Sequence, residues 1–284
     1  MSLPERPRED LRLPSRDAGG GSNPRAVGCH ANEIPTPAEP RWGFWATAGF
    51  SLVVVAVFVG LQTAAAIGFV VVQIAVSGQI PNEAEAASLG SNGLLLSLAT
   101  LISMPASLAL VCLFAKIKRG ATVRGYLGLR GVTFHVGLAW LGIMLLYAAA
   151  VDGLTYALGR PIVPEFMVSA YGSAGFLPLL WIALVILAPL FEEIFFRGFM
   201  LEGLRHTRLG AIGAVMLTAI AWAEIHLQYD AYQIGVIFVG GLLLGAARIR
   251  TGSVLLAMGM HSLQNIIATT EAAVYVHLKA NGAG

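Results

Sequence analysis

Three short groups of polar residues interrupt the apolar half of this chain, and their residue types are those used in acid–base chemistry. The first group, Glu192, Glu193 and Arg197, lies within a run of aromatic and aliphatic residues. Ionisable groups in a bilayer core cost about 2.5 to 3.5 kcal/mol each on insertion scales, so such a cluster indicates a functional site. The other two groups each span four positions, Trp222 with His226 and His261 with Asn265.

These residue types suit the hydrolysis of an amide bond. Hydrolysis needs a base that takes a proton from water, and donors that stabilise the oxygen that becomes negative in the tetrahedral intermediate. We predict that Glu192 is the base and that His226 orients the water. His261 and Asn265, at i and i+4 on one helix face, are predicted to donate to the oxyanion. Ser262 has no visible base partner, so a serine mechanism is not expected.

Helix rotation assigns different roles to the two adjacent glutamates. Glu193 and Arg197 are four residues apart and share one face, where an ion pair would offset the cost of both charges. Glu192 is rotated by about 100° from Glu193, which leaves it free to meet His226. Glu224 is rotated by about 160° from His226 and is a minor candidate for a carboxylate role.

The predicted catalytic groups are expected to lie at similar depths. The helix that carries Glu192 is expected to extend to His206 and to turn near Leu209. Glu192 lies 17 residues before Leu209, and His226 lies 17 residues after it. A rise of 1.5 Å per residue places both groups roughly 25 Å above the turn, near the middle of the membrane. We therefore expect the polar groups to converge in one cavity.

The composition predicts an all-α, polytopic membrane helix bundle. The 284 residues are 56% hydrophobic and only 12% charged, whereas about a quarter of the residues in soluble domains are charged. A net charge of +2 without a basic run argues against nucleic acid as a partner. Apolar runs of spanning length predict about seven transmembrane helices, seven or eight in all. They lie near residues 44–77, 93–115, 132–158, 176–206, 210–228, 231–248 and 252–270.

The chain divides into four predicted regions. Residues 1–40 are rich in Pro, Gly and charged residues and predict a disordered cytoplasmic leader. Residues 41–175 are predicted to form the N-terminal transmembrane helices, and residues 176–270 the catalytic core. Residues 271–284 are predicted to be a C-terminal tail.

The distribution of basic residues predicts the orientation. Residues 116–130 are rich in Lys and Arg, whereas the charged residues of 78–92 are Glu83 and Glu85. By the positive-inside rule the first connection is cytoplasmic, and so is the N-terminus. We expect a multi-pass protein of a bacterial plasma membrane, in contact with the lipid bilayer. Asp152 is interpreted as a polar residue that reaches the interface from a helix end.

The three groups together resemble the motifs of the CAAX protease and bacteriocin-processing family, which includes the Ras-converting enzyme. The resemblance covers about residues 176 to 270, and Trp222 stands where the family usually has Phe. It implies an intramembrane glutamate-dependent endopeptidase in which Glu192 and His226 activate water. It also implies that His261 and Asn265 form the oxyanion hole, and that no cofactor is needed. The implied partner is a peptide or protein substrate, membrane-associated or not, whose identity the sequence does not reveal.

Three alternatives stay open at this point. Glu192, His226 and His261 could be zinc ligands, since three protein ligands plus water is the usual catalytic arrangement. Glu192 and His226 could instead form the relay of a proton-coupled transporter, although the inverted repeats typical of transporters are not visible. The chain could also be a non-catalytic membrane scaffold.

Overall fold

The computed structural model describes residues 40–282, and the regular structure in this range is entirely helical. The predicted leader, residues 1–40, lies outside the described residues except for its last position. The helices are α1 Phe44–Ser77, α2 Glu83–Ser88, α3 Gly93–Lys116, α4 Val123–Leu127, α5 Phe134–Ala157, α6 Glu165–Gly172, α7 Leu177–Arg205, α8 Gly210–Glu224, α9 Ala231–Thr251 and α10 Val254–Ala280. The all-α membrane bundle predicted from the sequence is therefore confirmed.

Five of the described helices, α1, α3, α5, α7 and α9, are long and apolar enough to cross a membrane. Helix α8 is apolar but has only 15 residues, so at 1.5 Å per residue it is about 22 Å long, shorter than a hydrocarbon core. Helix α10 has 27 residues and carries several polar side chains on its buried side. The count of seven spans therefore stays a prediction for α8 and α10.

Helix α7 occupies the centre of the bundle. Half of its most apolar window is buried inside the protein, against 6% for α1 and α5, whose apolar surfaces are left for lipid. Its aromatic residues form a stacked row, with Phe191 and Phe195 at a centroid distance of 5.6 Å and Phe58 of α1 at 5.2 Å from Phe191. Glu192, Glu193 and Arg197 thus lie on the central helix of the bundle, while His226, His261 and Asn265 belong to other segments.

Two stretches of α7, Ile182–Leu187 and Glu193–Met200, are π-helical. A π-helical turn bonds i to i+5 instead of i to i+4, and such turns occur most often at functional sites. Side chains from two other helices bond to backbone carbonyls in these stretches. Arg248 Nε of α9 donates to Arg197 O at 3.1 Å, and Asn265 Nδ2 of α10 donates to Leu184 O at 2.7 Å.

Two element boundaries differ from the sequence-based expectation. The apolar run 210–228 predicted a helix that includes His226, but α8 ends at Glu224 and two tight turns follow. The chain turns there because Asp230 caps α9, with its carboxylate accepting from the Gln233 N–H. That N–H and Arg160 hold the pKa of Asp230 below its usual range.

The predicted C-terminal tail also begins later than expected. Helix α10 continues through Ala280, so residues 271–280 are helical. Thr269 and Ala272 are both fully buried, which shows that the packed face extends past residue 270. The helix ends where Gly282 takes a positive φ of 73°.

One end of the bundle is held by a buried carboxylate with several basic partners. Glu202 accepts from Arg41 Nε at 2.8 Å, from Arg205 Nη2 at 2.9 Å and from Arg248 Nη2 at 3.0 Å. Arg130 Nε donates to Gly252 O at 2.8 Å at the same end. This network connects α7, α9 and the connection between α3 and α5, all of which were predicted to meet at the cytoplasmic face.

Glycines allow α8 and α9 to approach closely, as the glycine pattern of α9 indicates. A Cβ on Gly245 would lie 2.8 Å from Val215 Cγ1, and one on Gly241 would lie 3.0 Å from the Trp222 ring. A Cβ on Gly235 would meet no atom within 4 Å. Close packing of small residues is the usual way in which membrane helices associate.

We expect Gly245→Ala to destabilise the protein by about 1 to 3 kcal/mol, because Val215 is β-branched and cannot rotate away freely. Gly235→Ala is the matched control in the same helix and is expected to be neutral or stabilising by up to about 1 kcal/mol. Thermal unfolding in detergent measures both. Equal melting temperatures for the two variants would contradict the close α8–α9 contact.

Candidate active site

Glu193 and Arg197 form an ion pair in the centre of the protein. Arg197 Nη1 donates to Glu193 Oε1 at 2.9 Å, and both side chains are fully buried. Arg197 Nη2 also donates to Gly241 O of α9 at 3.3 Å. The guanidinium lies over the Trp222 ring, 4.4 Å from its centroid, which adds a cation–π contact. Two buried charges are thus neutralised and held between α7, α8 and α9.

Glu192 points to a different neighbour from the one predicted. It is 9% exposed, and its Oε2 accepts from the Trp222 indole N–H at 2.5 Å. The sequence predicted a direct contact with His226, but among residues 40–282 no hydrogen bond joins the two side chains. The Trp222 ring lies beside Glu192. His226 follows one turn later, beyond the end of α8 at Glu224. Trp222 therefore links the carboxylate to the imidazole.

The hydrogen bond of His226 determines which ring nitrogen is basic. His226 Nδ1 lies 2.8 Å from Trp222 O. A carbonyl oxygen only accepts, so Nδ1 carries the hydrogen and Nε2 of the neutral imidazole has a free lone pair. No protein hydrogen bond engages Nε2 within the described chain. His226 is thus arranged to accept a hydrogen from water.

His261 is bound to the ion pair rather than to Glu192. Its Nδ1 lies 3.0 Å from Glu193 Oε1, the same oxygen that accepts from Arg197, and the residue is 4% exposed. The carboxylate accepts, so Nδ1 donates, and Nε2 carries a hydrogen only in the imidazolium form. His261 can therefore serve as an oxyanion donor only when it is protonated.

Asn265 donates one amide hydrogen to Leu184 O in the first π-helical stretch of α7. Its amide group has a second N–H, which makes no protein hydrogen bond in residues 40–282. The bond to Leu184 fixes the amide against α7, one helical turn along α10 from His261. Asn265 therefore keeps one donor for a ligand.

Trp222 is the shared neighbour of these groups. Its ring centroid lies 5.3 Å from that of His226 and 5.1 Å from that of His261, and its N–H binds Glu192. Sequence reasoning treated Trp222 only as an aromatic wall. The signal that could have identified its role is the indole N–H, a donor that needs an acceptor when it is buried.

A cavity of about 190 Å³ adjoins this cluster, and His226 is the predicted catalytic residue that lines it. Tyr229, in the turn after α8, also lines the cavity. Burial and the nearby charge of Glu192 both raise the pKa of the Tyr229 hydroxyl. Glu192 is not among the residues that line the cavity, and within residues 40–282 Glu224 is exposed and makes no contact with the cluster.

The arrangement does not form a preformed metal site in the described residues. Among residues 40–282, no three His, Cys, Asp or Glu side chains are placed to share a metal ion. His261 Nδ1 is engaged by Glu193, and one Glu192 oxygen is engaged by Trp222. A zinc ion held by Glu192, His226 and His261 would require these side chains to change position.

Comparison with known proteins identifies the family. Residues 174–267 match the type II CAAX prenyl endopeptidase Rce1-like family. An uncharacterised 24.3 kDa protein of Escherichia coli is 32% identical over 158 residues, which are 54% of this chain and 70% of that protein. The chain belongs to the Rce1-like family. The matched segment contains α7, α8, α9 and about the first half of α10, with all three groups of polar residues, and no solved structure matches the chain.

Membership of the Rce1-like family makes this an integral membrane protein of the CAAX-type endopeptidase class. The matched segment is also the part of the chain where the buried charged side chains contact one another. The resemblance inferred from the three sequence groups is therefore confirmed.

We expect Glu193→Gln and Arg197→Gln each to lower stability by about 3 to 5 kcal/mol, because each change leaves the other charge buried without its partner. Arg160→Gln is the control, since Arg160 and Asp230 form an exposed pair at 2.8 Å, expected to contribute less than about 1 kcal/mol. Melting temperature and expression level measure the effect. If the buried-pair variants melt like the control, the ion pair has no stabilising role.

Proposed function

We propose that this protein hydrolyses peptide bonds with a water molecule activated by Glu192 and His226. The observation that carries the proposal is the arrangement around Trp222. The indole N–H of Trp222 donates to one oxygen of Glu192. The backbone carbonyl of Trp222 accepts from His226 Nδ1 and so fixes His226 in the tautomer whose Nε2 accepts a hydrogen. Trp222 thus contacts both proposed proton acceptors, and His226 lines the adjoining cavity.

The proposed first step is the attack of water on the substrate carbonyl. The water donates one hydrogen to the free oxygen of Glu192 and the other to His226 Nε2, so its oxygen lone pair is left for the carbonyl carbon. Glu192 takes a proton as the carbon–oxygen bond forms. It then returns that proton to the leaving nitrogen as the carbon–nitrogen bond breaks, which regenerates the carboxylate and releases an acid and an amine.

The negative charge that develops on the carbonyl oxygen has to be stabilised by hydrogen-bond donors. The free N–H of Asn265 supplies one, and His261 Nε2 supplies a second when the imidazole is protonated. The Glu193 carboxylate lies 3.0 Å from His261 Nδ1 and fixes the orientation of the ring. Removal of a single oxyanion donor typically costs 10²- to 10³-fold in turnover.

We expect Glu192→Gln and His226→Ala each to lower kcat by at least about 100-fold without unfolding the protein. Glu224→Gln is the matched control, because this carboxylate is exposed and apart from the cluster. The assay is release of fragments from a quenched-fluorescent peptide by the full chain in detergent. Cleavage by the Glu192→Gln protein at the wild-type rate would overturn the mechanism.

The same assay separates this mechanism from the zinc alternative. Under the proposed mechanism, exhaustive chelation leaves the rate unchanged, and elemental analysis finds no stoichiometric metal. Loss of activity on chelation, with recovery on addition of zinc, would favour the alternative in which Glu192, His226 and His261 bind the ion.

We propose that the N-terminus is cytoplasmic and that the membrane is a bacterial plasma membrane, and the distribution of basic residues supports the orientation. The end of the bundle around Glu202 carries nearly all of the basic side chains outside the leader, and the opposite end carries Arg160 and Lys279. The positive-inside rule then places the Glu202 end in the cytoplasm. The cavity lies toward the opposite end, because Pro161, Tyr229 and Tyr232 line it.

This orientation can be measured by labelling of single cysteines. In a background with Cys29→Ser and Cys112→Ser, we expect Glu83→Cys to react with an impermeant maleimide on intact spheroplasts. Arg119→Cys is expected to react only after permeabilisation. Both positions are exposed, so the difference reports the side of the membrane. The reverse pattern would show that the cavity opens toward the cytoplasm.

A further inference from the structure

Among residues 40–282, three tyrosines line the cavity beside His226, and they differ in what their hydroxyl groups bind. Tyr147 donates to a backbone carbonyl of α9 at 2.5 Å, and the Tyr232 hydroxyl lies 2.7 Å from Thr155 Oγ1. The Tyr229 hydroxyl makes no hydrogen bond within the described residues, and it is not sealed from solvent. A phenol both donates and accepts hydrogen bonds, so this hydroxyl is left for a ligand.

A tight turn places Tyr229 against His226. The Tyr229 N–H donates to His226 O at 3.1 Å, which closes a turn of four residues. The two side-chain rings lie nearly parallel, with their centroids 6.2 Å apart and their planes inclined by 27°. Stacked rings at this distance attract each other, so the contact restricts the rotation of the imidazole.

The Tyr229 ring is itself held by an aromatic residue of α6. Phe166 packs edge-on against it, with a centroid distance of 5.3 Å and an interplanar angle of 68°. Edge-to-face contact is one of the favoured arrangements of aromatic pairs. Helix α6 in turn packs against α3 and α10. The Tyr229 ring therefore connects the turn after α8 to the rest of the bundle.

His226 depends on such support because it lies outside a regular helix. Helix α8 ends at Glu224, and only turn hydrogen bonds follow. The imidazole contacts the Trp222 carbonyl at 2.8 Å, the Trp222 ring at a centroid distance of 5.3 Å, and the Tyr229 ring. A general base has to stay within hydrogen-bond reach of the proton that it accepts. Trp222 and Tyr229 together provide the restraint that the helix does not.

We propose that Tyr229 is a substrate-binding residue whose hydroxyl donates to a main-chain carbonyl of the peptide beside the cleaved bond, while its ring positions His226. The inference rests on the proposed function for the identity of the ligand as a peptide. A main-chain carbonyl is the acceptor that every peptide carries, and a neutral phenol binds it without adding a charge to the cavity. The cavity wall is largely apolar, which strengthens a hydrogen bond made inside it.

Tyr229→Phe tests the hydroxyl, because it removes one oxygen and keeps the ring that contacts Phe166 and His226. It is expected to raise the KM of a quenched-fluorescent peptide by about 3- to 10-fold, the effect of one neutral hydrogen bond, and to leave kcat within about 2-fold. Tyr232→Phe is the matched control and is expected to keep the wild-type KM, because Thr155 engages its hydroxyl. A wild-type KM in the Tyr229→Phe protein would overturn the proposal, and is the result expected of a tyrosine that only packs.

Tyr229→Leu tests the ring. We expect its kcat to fall at least about 10-fold below that of Tyr229→Phe, because the imidazole of His226 loses one of its supports and small misplacements are costly. Thermal unfolding in detergent establishes that both variants are folded. Equal kcat values for the two variants would refute the positioning of His226 by the ring. If the Leu variant does not fold, the KM of the Phe variant decides the proposal.

Binding separates failure of this proposal from failure of the proposed function. Fluorescence anisotropy of a labelled peptide is measured with the Glu192→Gln protein, with and without Tyr229→Phe. The second substitution is expected to weaken binding by about 3- to 10-fold. That loss, together with no cleavage by the wild type, would leave the Tyr229 site standing and refute the hydrolase. Equal binding by the two proteins would refute the Tyr229 site, whatever the wild type cleaves.

Discussion

The buried ion pair between Glu193 and Arg197 is the contact on which the site's geometry depends, because four helices meet at it. Arg197 of α7 binds the Gly241 carbonyl of α9 and lies over Trp222 of α8, while Glu193 accepts from His261 of α10. A buried pair gives little net stability compared with apolar packing, but it strongly opposes any shift that separates its charges. It therefore fixes the relative positions of the helices more than it adds to their stability.

The π-helical form of α7 also depends on contacts with α9 and α10. Both π-helical stretches lie beside polar side chains of α9 and α10, and in each a carbonyl oxygen receives a donor from outside the helix. In a lipid environment an unpaired carbonyl would cost several kcal/mol, so these donors allow the irregular backbone. Arg248 contributes twice, since it binds the Arg197 carbonyl and the Glu202 carboxylate, and so connects the ion pair to the network at the basic end.

The sequence pointed to these residues because buried charge in an apolar run has few explanations, and their catalytic roles stay a prediction. The helical class and the family followed from composition and from three spaced groups, and both are confirmed. The partners of the side chains were harder to predict. The predicted side-chain directions assumed a rotation of about 100° per residue, as in a regular α-helix. Residues 193–200 are π-helical instead, and α8 ends two residues before His226. Glu192 therefore meets Trp222, and His261 meets Glu193.

The contacts that sequence reasoning missed are those between distant segments. Glu202 is separated from Arg248 by 46 positions, and no local spacing indicates that they meet. Asp152 was interpreted as a helix-end residue at the interface, a reasonable reading of one helix alone. Helix α10 places Glu271 on the same cavity as Asp152, a neighbour that no spacing within α5 indicates.

The short length of α8 accounts for the position of the cavity. Helix α8 has only 15 residues and ends before His226, so the chain turns back toward α9 there and leaves a recess beside His226. Tyr229 of that turn and Tyr232 of α9 line the recess with hydroxyl-bearing rings, which favour a wet boundary over a lipid-facing one. A water molecule can therefore reach Nε2 of His226 without crossing the apolar core, while Glu192 stays mostly buried behind Trp222. The early end of α8 thus accounts for the cavity beside His226.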